Sequence, residues 1–171
     1  MKTNRNIALM YILLVVAQIL VCNFINVGPY VFLTILPVMI LCLPLTIPAV
    51  PLMLIAAVSG LAVDWLAEGI VGLNVLAAVP VAFIRNTVVR LLLGKDHTER
   101  AEGFSFRKNG FPKISAAMLV CQAVFLAVYV VVDGAGTRPF LFLALRFTLS
   151  LICGYLISLP VFNMLTSNEN Q

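Results

Sequence analysis

The feature that most constrains this chain is a succession of long apolar runs separated by short polar gaps. A helix needs about 20 apolar residues to cross the hydrocarbon core of a bilayer, and most of the runs approach that length. Charged residues make up only 11% of the chain and hydrophobic residues 62%, whereas a soluble domain has roughly 25% charged residues. So little charge does not cover a surface in water, and we expect lipid to surround much of the chain.

The apolar runs predict an all-α, polytopic membrane protein with a single membrane domain over residues 1–171 and about six transmembrane helices. The predicted helices cover residues 7–27, 30–43, 49–67, 73–93, 114–132 and 139–165, and one long polar loop covers residues 94–113. The second run is the least secure, because it is short and contains Pro37, which removes a backbone donor. Whether this run crosses the membrane completely is left open by the sequence.

The basic residues predict the orientation of the helices. Eight of them lie before the first helix, at the end of the fourth, or in the polar loop: Lys2, Arg5, Arg90, Lys95, Arg100, Arg107, Lys108 and Lys113. An even number of crossings separates the two clusters, so all eight fall on one side. Because Lys and Arg accumulate on the cytoplasmic side of membrane proteins, both termini and the polar loop are predicted to be cytoplasmic.

The sequence offers no pattern for catalysis, metal binding or nucleic-acid binding. The four cysteines lie inside apolar runs without Cys-x-x-Cys spacing, which is typical of small buried hydrophobes. His97 is the single histidine and lies in the polar loop, so no catalytic grouping is expected. The net charge of +4 sits at membrane ends and does not indicate nucleic acid. We therefore expect neither an enzyme nor a bound cofactor.

Charged residues at membrane depth are costly, which makes each a candidate functional residue. Asp64 shares a helix face with Ala56 and Gly60, whose small size lets another helix approach closely. Asp64 is expected either to anchor a helix or partner contact or to reach the nearby interface. One hypothesis pairs Asp64 with Arg146 across the third and sixth helices, because one such charge buried alone would be far less favourable.

The other basic residues near the membrane are expected to contact lipid or to set topology. Arg85 lies about two turns from the cytoplasmic end of the fourth helix and is predicted to extend toward the inner headgroups beside Arg90. Arg107 and Lys108 lie in the polar loop among phenylalanines, which suits docking on anionic lipid. A surface for a cytoplasmic partner and a plain solvated loop are the alternatives.

The uncharged polar residues of the apolar runs are few and look scattered along the sequence: Gln18, Asn23, Asn26, Gln122 and Ser150. A specific small-molecule site needs several polar groups directed into one cavity. The scatter therefore favours a subunit that packs against other proteins over one that binds a small ligand.

The stretch G-L-A-V-D-W-L-A-E-G-I-V-G-L-N-V-L at residues 60–76 resembles the signature region of the rod shape-determining protein MreD family. That family carries a G-L-x-x-D-x-L segment followed, a few residues later, by G-L-x-A/V-L at the start of the next helix. Gly60, Asp64, Gly72 and Asn74 occupy the motif positions here. The resemblance implies that they are structural or partner-contact residues and not catalysts.

The resemblance also implies a function. Such a protein is a multi-pass scaffold subunit in the inner membrane of a bacterium, and it binds the single-span protein MreC. Through MreC it couples MreB filaments to peptidoglycan synthases during cell elongation. The family's helix arrangement is also similar to the substrate-binding components of energy-coupling-factor transporters, so the alternative is a membrane subunit that binds a small molecule.

Overall fold

The computed structural model describes residues 2–24, 28–93, 110–134 and 138–167, with side chains over 8–24, 28–92, 110–134 and 138–165. These residues contain helices and no strand. The elements in chain order are α1 (Lys2–Phe24), α2 (Leu36–Cys42), α3 (Ala49–Val63), a π-helical turn (Asp64–Glu68), α4 (Leu73–Leu93), α5 (Phe111–Asp133) and α6 (Phe140–Ser167). The predicted all-helical class is confirmed for this part of the chain.

Four helical segments are long and apolar enough to cross a bilayer: Ala49–Glu68, Leu73–Leu92, Phe111–Asp133 and Phe140–Leu165. Helix α1 adds a shorter apolar stretch, Ala8–Phe24. Pro80 and Pro160 lie inside α4 and α6 without ending them. These lengths support a membrane protein, as the apolar runs predicted.

The predicted helix over residues 30–43 is wrong in its extent. Helix α2 has seven residues, about 10 Å of rise, and residues 31–35 before it have no regular structure. Pro37 stands in the first turn of α2, where a missing N–H breaks no helical bond. Leu43 is extended, with ψ 150°, because it precedes Pro44. The prolines therefore confine the helix to this short piece.

Helix α1 and helix α3 run in the same direction. The Tyr11 hydroxyl donates to Ser59 Oγ at 3.2 Å, and further along both helices Asn23 Nδ2 donates to the Leu66 carbonyl at 3.3 Å. The end of α1 and the start of α3 consequently lie at opposite ends of the bundle. The chain must return the whole length of the bundle through residues 28–48, although α2 supplies only part of that path.

Helices α3 and α5 run toward one end of the bundle, and α4 and α6 run away from it. Three polar contacts join them there: Asp64 with Asn74, Glu68 with Tyr129, and Asp133 with Arg146. We call this end of the bundle the polar end. The beginning of α1 and the end of α6 both lie at the other end.

Helix α2 lies at the centre of the bundle and contacts all five longer helices. Every side chain from Leu36 to Leu41 is buried. Helix α6, on the outside of the bundle, is buried along one face only. Its buried residues are Ser150, Gly154, Ser158 and Phe162, one per turn. The rest of the α6 surface carries large apolar side chains such as Phe140 and Leu141, which suits contact with lipid.

Candidate functional site

Asp64 joins the end of α3 to the start of α4. Its side chain is fully buried, and its two oxygens accept hydrogen bonds from Gly72 N at 2.8 Å, Asn74 N at 2.9 Å and Asn74 Nδ2 at 2.9 Å. The first N–H groups of a helix have no partner within it, and a carboxylate there is favoured by the helix dipole. Asp64 therefore caps α4 from the preceding helix.

Two glycines allow this arrangement. Gly72 has φ +111°, a conformation that other residues rarely adopt, and it directs its N–H at Asp64. At Gly60 a Cβ atom would lie 2.8 Å from Val75 N and 2.9 Å from the Asn74 carbonyl carbon. The backbones of α3 and α4 are thus so close at this point that only glycine fits between them. The face of Ala56, Gly60 and Asp64 contacts α4 of the same chain.

A hydrogen-bonded chain extends from Asp64 to α5. Asn74 Nδ2 also donates to Glu68 Oε1 at 2.8 Å, and the Tyr129 hydroxyl donates to Glu68 Oε2 at 2.8 Å. Phe32 stacks on the Tyr129 ring with centroids 4.0 Å apart. Glu68 and Tyr129 were not identified from the sequence. The i, i+4 spacing of Glu68 after Asp64 was the available signal, and nothing in the sequence placed Tyr129 beside it.

The predicted pairing of Asp64 with Arg146 is wrong. Arg146 Nη1 forms its ion pair with Asp133 Oδ2, and both side chains are largely buried. The Arg146 guanidinium also lies over the Tyr129 ring, 5.8 Å from its centroid. The physical reason is competition for acceptors: the oxygens of Asp64 are occupied by the N-terminus of α4, whereas Asp133 ends the helix that packs on α6.

Arg85 does not extend toward the headgroups as predicted. Its side chain is fully buried, with Nε donating to the Leu41 carbonyl at 3.1 Å and Nη2 donating to the Leu43 carbonyl. The last carbonyls of a helix lack partners and attract a cation. Arg85 therefore caps the C-terminal end of α2 inside the bundle. Its Nη1 is buried without an acceptor.

Three of the five polar side chains that look scattered in the sequence, Gln18, Gln122 and Ser150, converge on residues 32–35. Gln18 of α1 donates to the Leu33 carbonyl at 3.1 Å and accepts from Ile35 N at 2.8 Å. Ser150 Oγ of α6 accepts from Phe32 N at 2.8 Å, and Gln122 Nε2 of α5 donates to the Thr34 carbonyl at 3.3 Å. Irregular backbone is tolerated at membrane depth only where protein satisfies it. These three side chains supply four such bonds, to Phe32 N, the Leu33 and Thr34 carbonyls and Ile35 N.

Gly154 of α6 makes room for one of these side chains. A Cβ atom at Gly154 would collide with Gln122 Nε2. Gln122 is 1% exposed, and its Oε1 is buried without a donor. The bond from Gln122 to residue 34 thus depends on a glycine of α6, the next helix along the chain.

An apolar groove of about 500 Å³ lies between α1 and α3. Its lining is Tyr11, Ile12, Val15, Val16, Ile19, Leu54, Ile55, Val58, Ser59, Ala62 and Leu66. The two hydroxyls in this lining bond each other, and Ser59 also donates to the Ala56 carbonyl at 2.9 Å. The groove therefore presents hydrocarbon to whatever lies against it.

The remaining predicted residues are placed separately. Arg90 is exposed at the end of α4, away from the polar end. Asn26, His97, Arg107 and Lys108 lie outside the described residues. No group of three His, Cys, Asp or Glu side chains that could hold a metal occurs in the part of the chain that the structure describes.

The motif of residues 60–76 is thus a packing and capping unit between α3 and α4, built from fixed hydrogen bonds. Comparisons with models of known protein families, with curated proteins and with solved structures find no match to this chain.

Proposed function

We propose that this protein is a non-catalytic scaffold subunit in the inner membrane of a bacterium, acting in the cell-elongation machinery. In this proposal it binds the single-span protein MreC and so couples MreB filaments to peptidoglycan synthesis. The observation that carries the proposal is the motif unit at the polar end, where Gly60, Asp64, Gly72 and Asn74 form one rigid joint between two helices. A rigid joint suits a protein that presents a fixed surface to a partner.

The use of the polar side chains supports a scaffold over a ligand-binding subunit. Gln18, Gln122, Ser150 and Arg85 all hydrogen-bond the backbone of residues 32–43, which belongs to the same chain. A ligand site directs its polar groups at a ligand. Here they are directed at the protein's own backbone, while the outward surfaces of α1 and α6 remain apolar and open to another membrane helix.

The orientation within this proposal follows from the basic residues. The polar end faces the outside of the cell, and both termini and the loop over residues 94–113 face the cytoplasm. Placed this way, the turn at residues 65–71 lies at the outer membrane interface, with its apolar side chains Trp65 and Val71 76% and 64% exposed.

Co-purification tests the proposal. The full chain in native membranes is expected to co-purify with MreC, and its depletion is expected to round a rod-shaped host. Gly60→Leu, which separates α3 from α4, should weaken the association, whereas the exposed neighbour change Leu61→Ala should not. Normal cell shape after depletion, with no MreC recovered, would contradict it.

A second candidate function is a small-molecule-binding membrane subunit. Gln122 and Arg85, which bond the backbone of residues 34–43, each have a buried atom without a partner: Gln122 Oε1 and Arg85 Nη1. Discontinuous helices such as the one in this region line the binding sites of many transporters. Loss of vitamin uptake with unchanged cell shape after depletion would favour this function.

A further inference from the structure

The described part of helix α1 packs against the bundle along one narrow face. Among residues 8–24, Leu14 and Gln18 are the only buried residues, and Tyr11, Val15, Ile19 and Cys22 on the same face are partly buried. Large side chains on either side of this face point outward, including Leu9 at 65% and Leu20 at 50% exposure. By comparison, α4 packs along its length against both α3 and α5.

In the described part of α1, the side chains of Tyr11, Gln18 and Asn23 form hydrogen bonds with the rest of the bundle. Gln18 makes two bonds to residues 33 and 35, at 3.1 and 2.8 Å, while the Tyr11 and Asn23 contacts with α3 and the π-helical turn are single bonds of 3.2 and 3.3 Å. Helices in lipid have no hydrophobic drive to associate, because lipid tails are as apolar as side chains. The position of α1 therefore depends on these bonds and on its narrow packing face.

The groove between α1 and α3 gives α1 space to move. It lies along the side of α1 that faces α3, and its lining runs past Gln18, from Tyr11 to Ile19 on α1. We propose that α1 is a gate that pivots on Gln18, closing the groove against α3 in one position and opening it in another. Gln18 is the pivot because it is buried on the packing face and also makes the two bonds to residues 33 and 35.

Distances between spin labels on the full chain in lipid nanodiscs test the gate. In a background with the four cysteines replaced by alanine, one pair reports α1 against α3, at Leu9→Cys and Val50→Cys. Both sites are exposed and remote from Gln18, where a pivot moves α1 most. A reference pair, Phe83→Cys and Val120→Cys, reports the packed helices α4 and α5 and uses exposed sites as well.

The gate predicts a distance distribution for the α1–α3 pair that is several ångström wider than that of the reference pair. Gln18→Leu should widen or shift the first distribution and leave the second unchanged. If the reference pair also changes, the fold is disturbed, and Tyr11→Phe, which removes only the bond to Ser59, takes the place of Gln18→Leu. A first distribution as narrow as the reference, or one that the valid variant leaves unchanged, would overturn the proposal.

Discussion

The carboxylate of Asp64 concentrates the hydrogen bonds that join α3 to α4, so single-residue changes there have graded consequences. Asp64→Leu removes the acceptor of Gly72 N and of Asn74 N in a buried place, and one of the two acceptors of Asn74 Nδ2. Since each unsatisfied buried donor costs about 1–3 kcal/mol, we expect a loss of about 3 kcal/mol or more in unfolding free energy, measured by detergent-induced unfolding.

Two milder changes at this site provide the control. Asp64→Asn keeps one oxygen acceptor and should lose about 1 kcal/mol, and Glu68→Gln should lose less than Asp64→Leu. Equal stability of Asp64→Leu and Asp64→Asn would show that the capping bonds contribute little.

Gly60 is a second residue whose replacement has a defined outcome. A Cβ atom at this position would collide with backbone atoms of α4, and these cannot move away by a change of rotamer as a side chain can. Overpacking typically costs about 1–3 kcal/mol, so Gly60→Ala should destabilise the protein by that amount in the same unfolding assay. Leu61→Ala, on the exposed face of α3, should change stability far less, and equal effects would contradict the close approach.

Arg146 and Asp133 are expected to be energetically coupled. A double-mutant cycle with Arg146→Met and Asp133→Asn should give a coupling of about 1 kcal/mol, within the range found for residues in contact. The cycle of Arg146→Met with Asp64→Asn should give a smaller value, because these side chains are not in contact. The reverse order would restore the pairing predicted from the sequence.

Helix α2 and the irregular residues before it form one element that depends on side chains from its neighbours. Arg85→Met removes the donors to the Leu41 and Leu43 carbonyls, and leaving buried carbonyls unpaired costs about 1–3 kcal/mol in total after relaxation. Arg90→Met, an exposed change on the same helix, is the matched control. Similar stabilities of the two variants, measured by thermal unfolding in detergent, would show that Arg85 does not cap α2.

The long helices were predictable from the sequence, and the broken element was not. Apolar length alone places α3 to α6, because each helix satisfies its own backbone. The prolines at positions 37 and 44 indicated that α2 is short. The hydrogen bonds that replace its missing turns could not be predicted, because they come from residues 18, 85, 122 and 150, on four other helices. The pairing of Arg146 failed for a similar reason: sequence spacing gives depth along a helix but not which of two carboxylates is already occupied.

The whole chain is predicted to cross the membrane an even number of times. Since α1 and α3 run in parallel, residues 28–48 run back along the bundle between them, and in the proposed topology they cross the membrane. With the native cysteines replaced, Tyr30→Cys and Thr46→Cys are expected to react with a membrane-impermeant thiol reagent from opposite sides, Tyr30 from outside and Thr46 from the cytoplasm. Reaction of both from one side would show that this segment enters and leaves on the same face.

The bonds from residues 32 and 34 to Ser150 and Gln122 span 118 and 88 positions of sequence. During synthesis residues 28–48 therefore leave the ribosome long before Gln122 and Ser150 have been made. These residues cannot insert as an independent transmembrane helix, as the translocon ordinarily requires. Their unpaired backbone groups must be kept away from lipid until α5 and α6 are inserted. The conformation of residues 28–48 therefore depends on the last helices to be made. A truncated chain that lacks α5 and α6 should leave these residues without a defined conformation in the membrane.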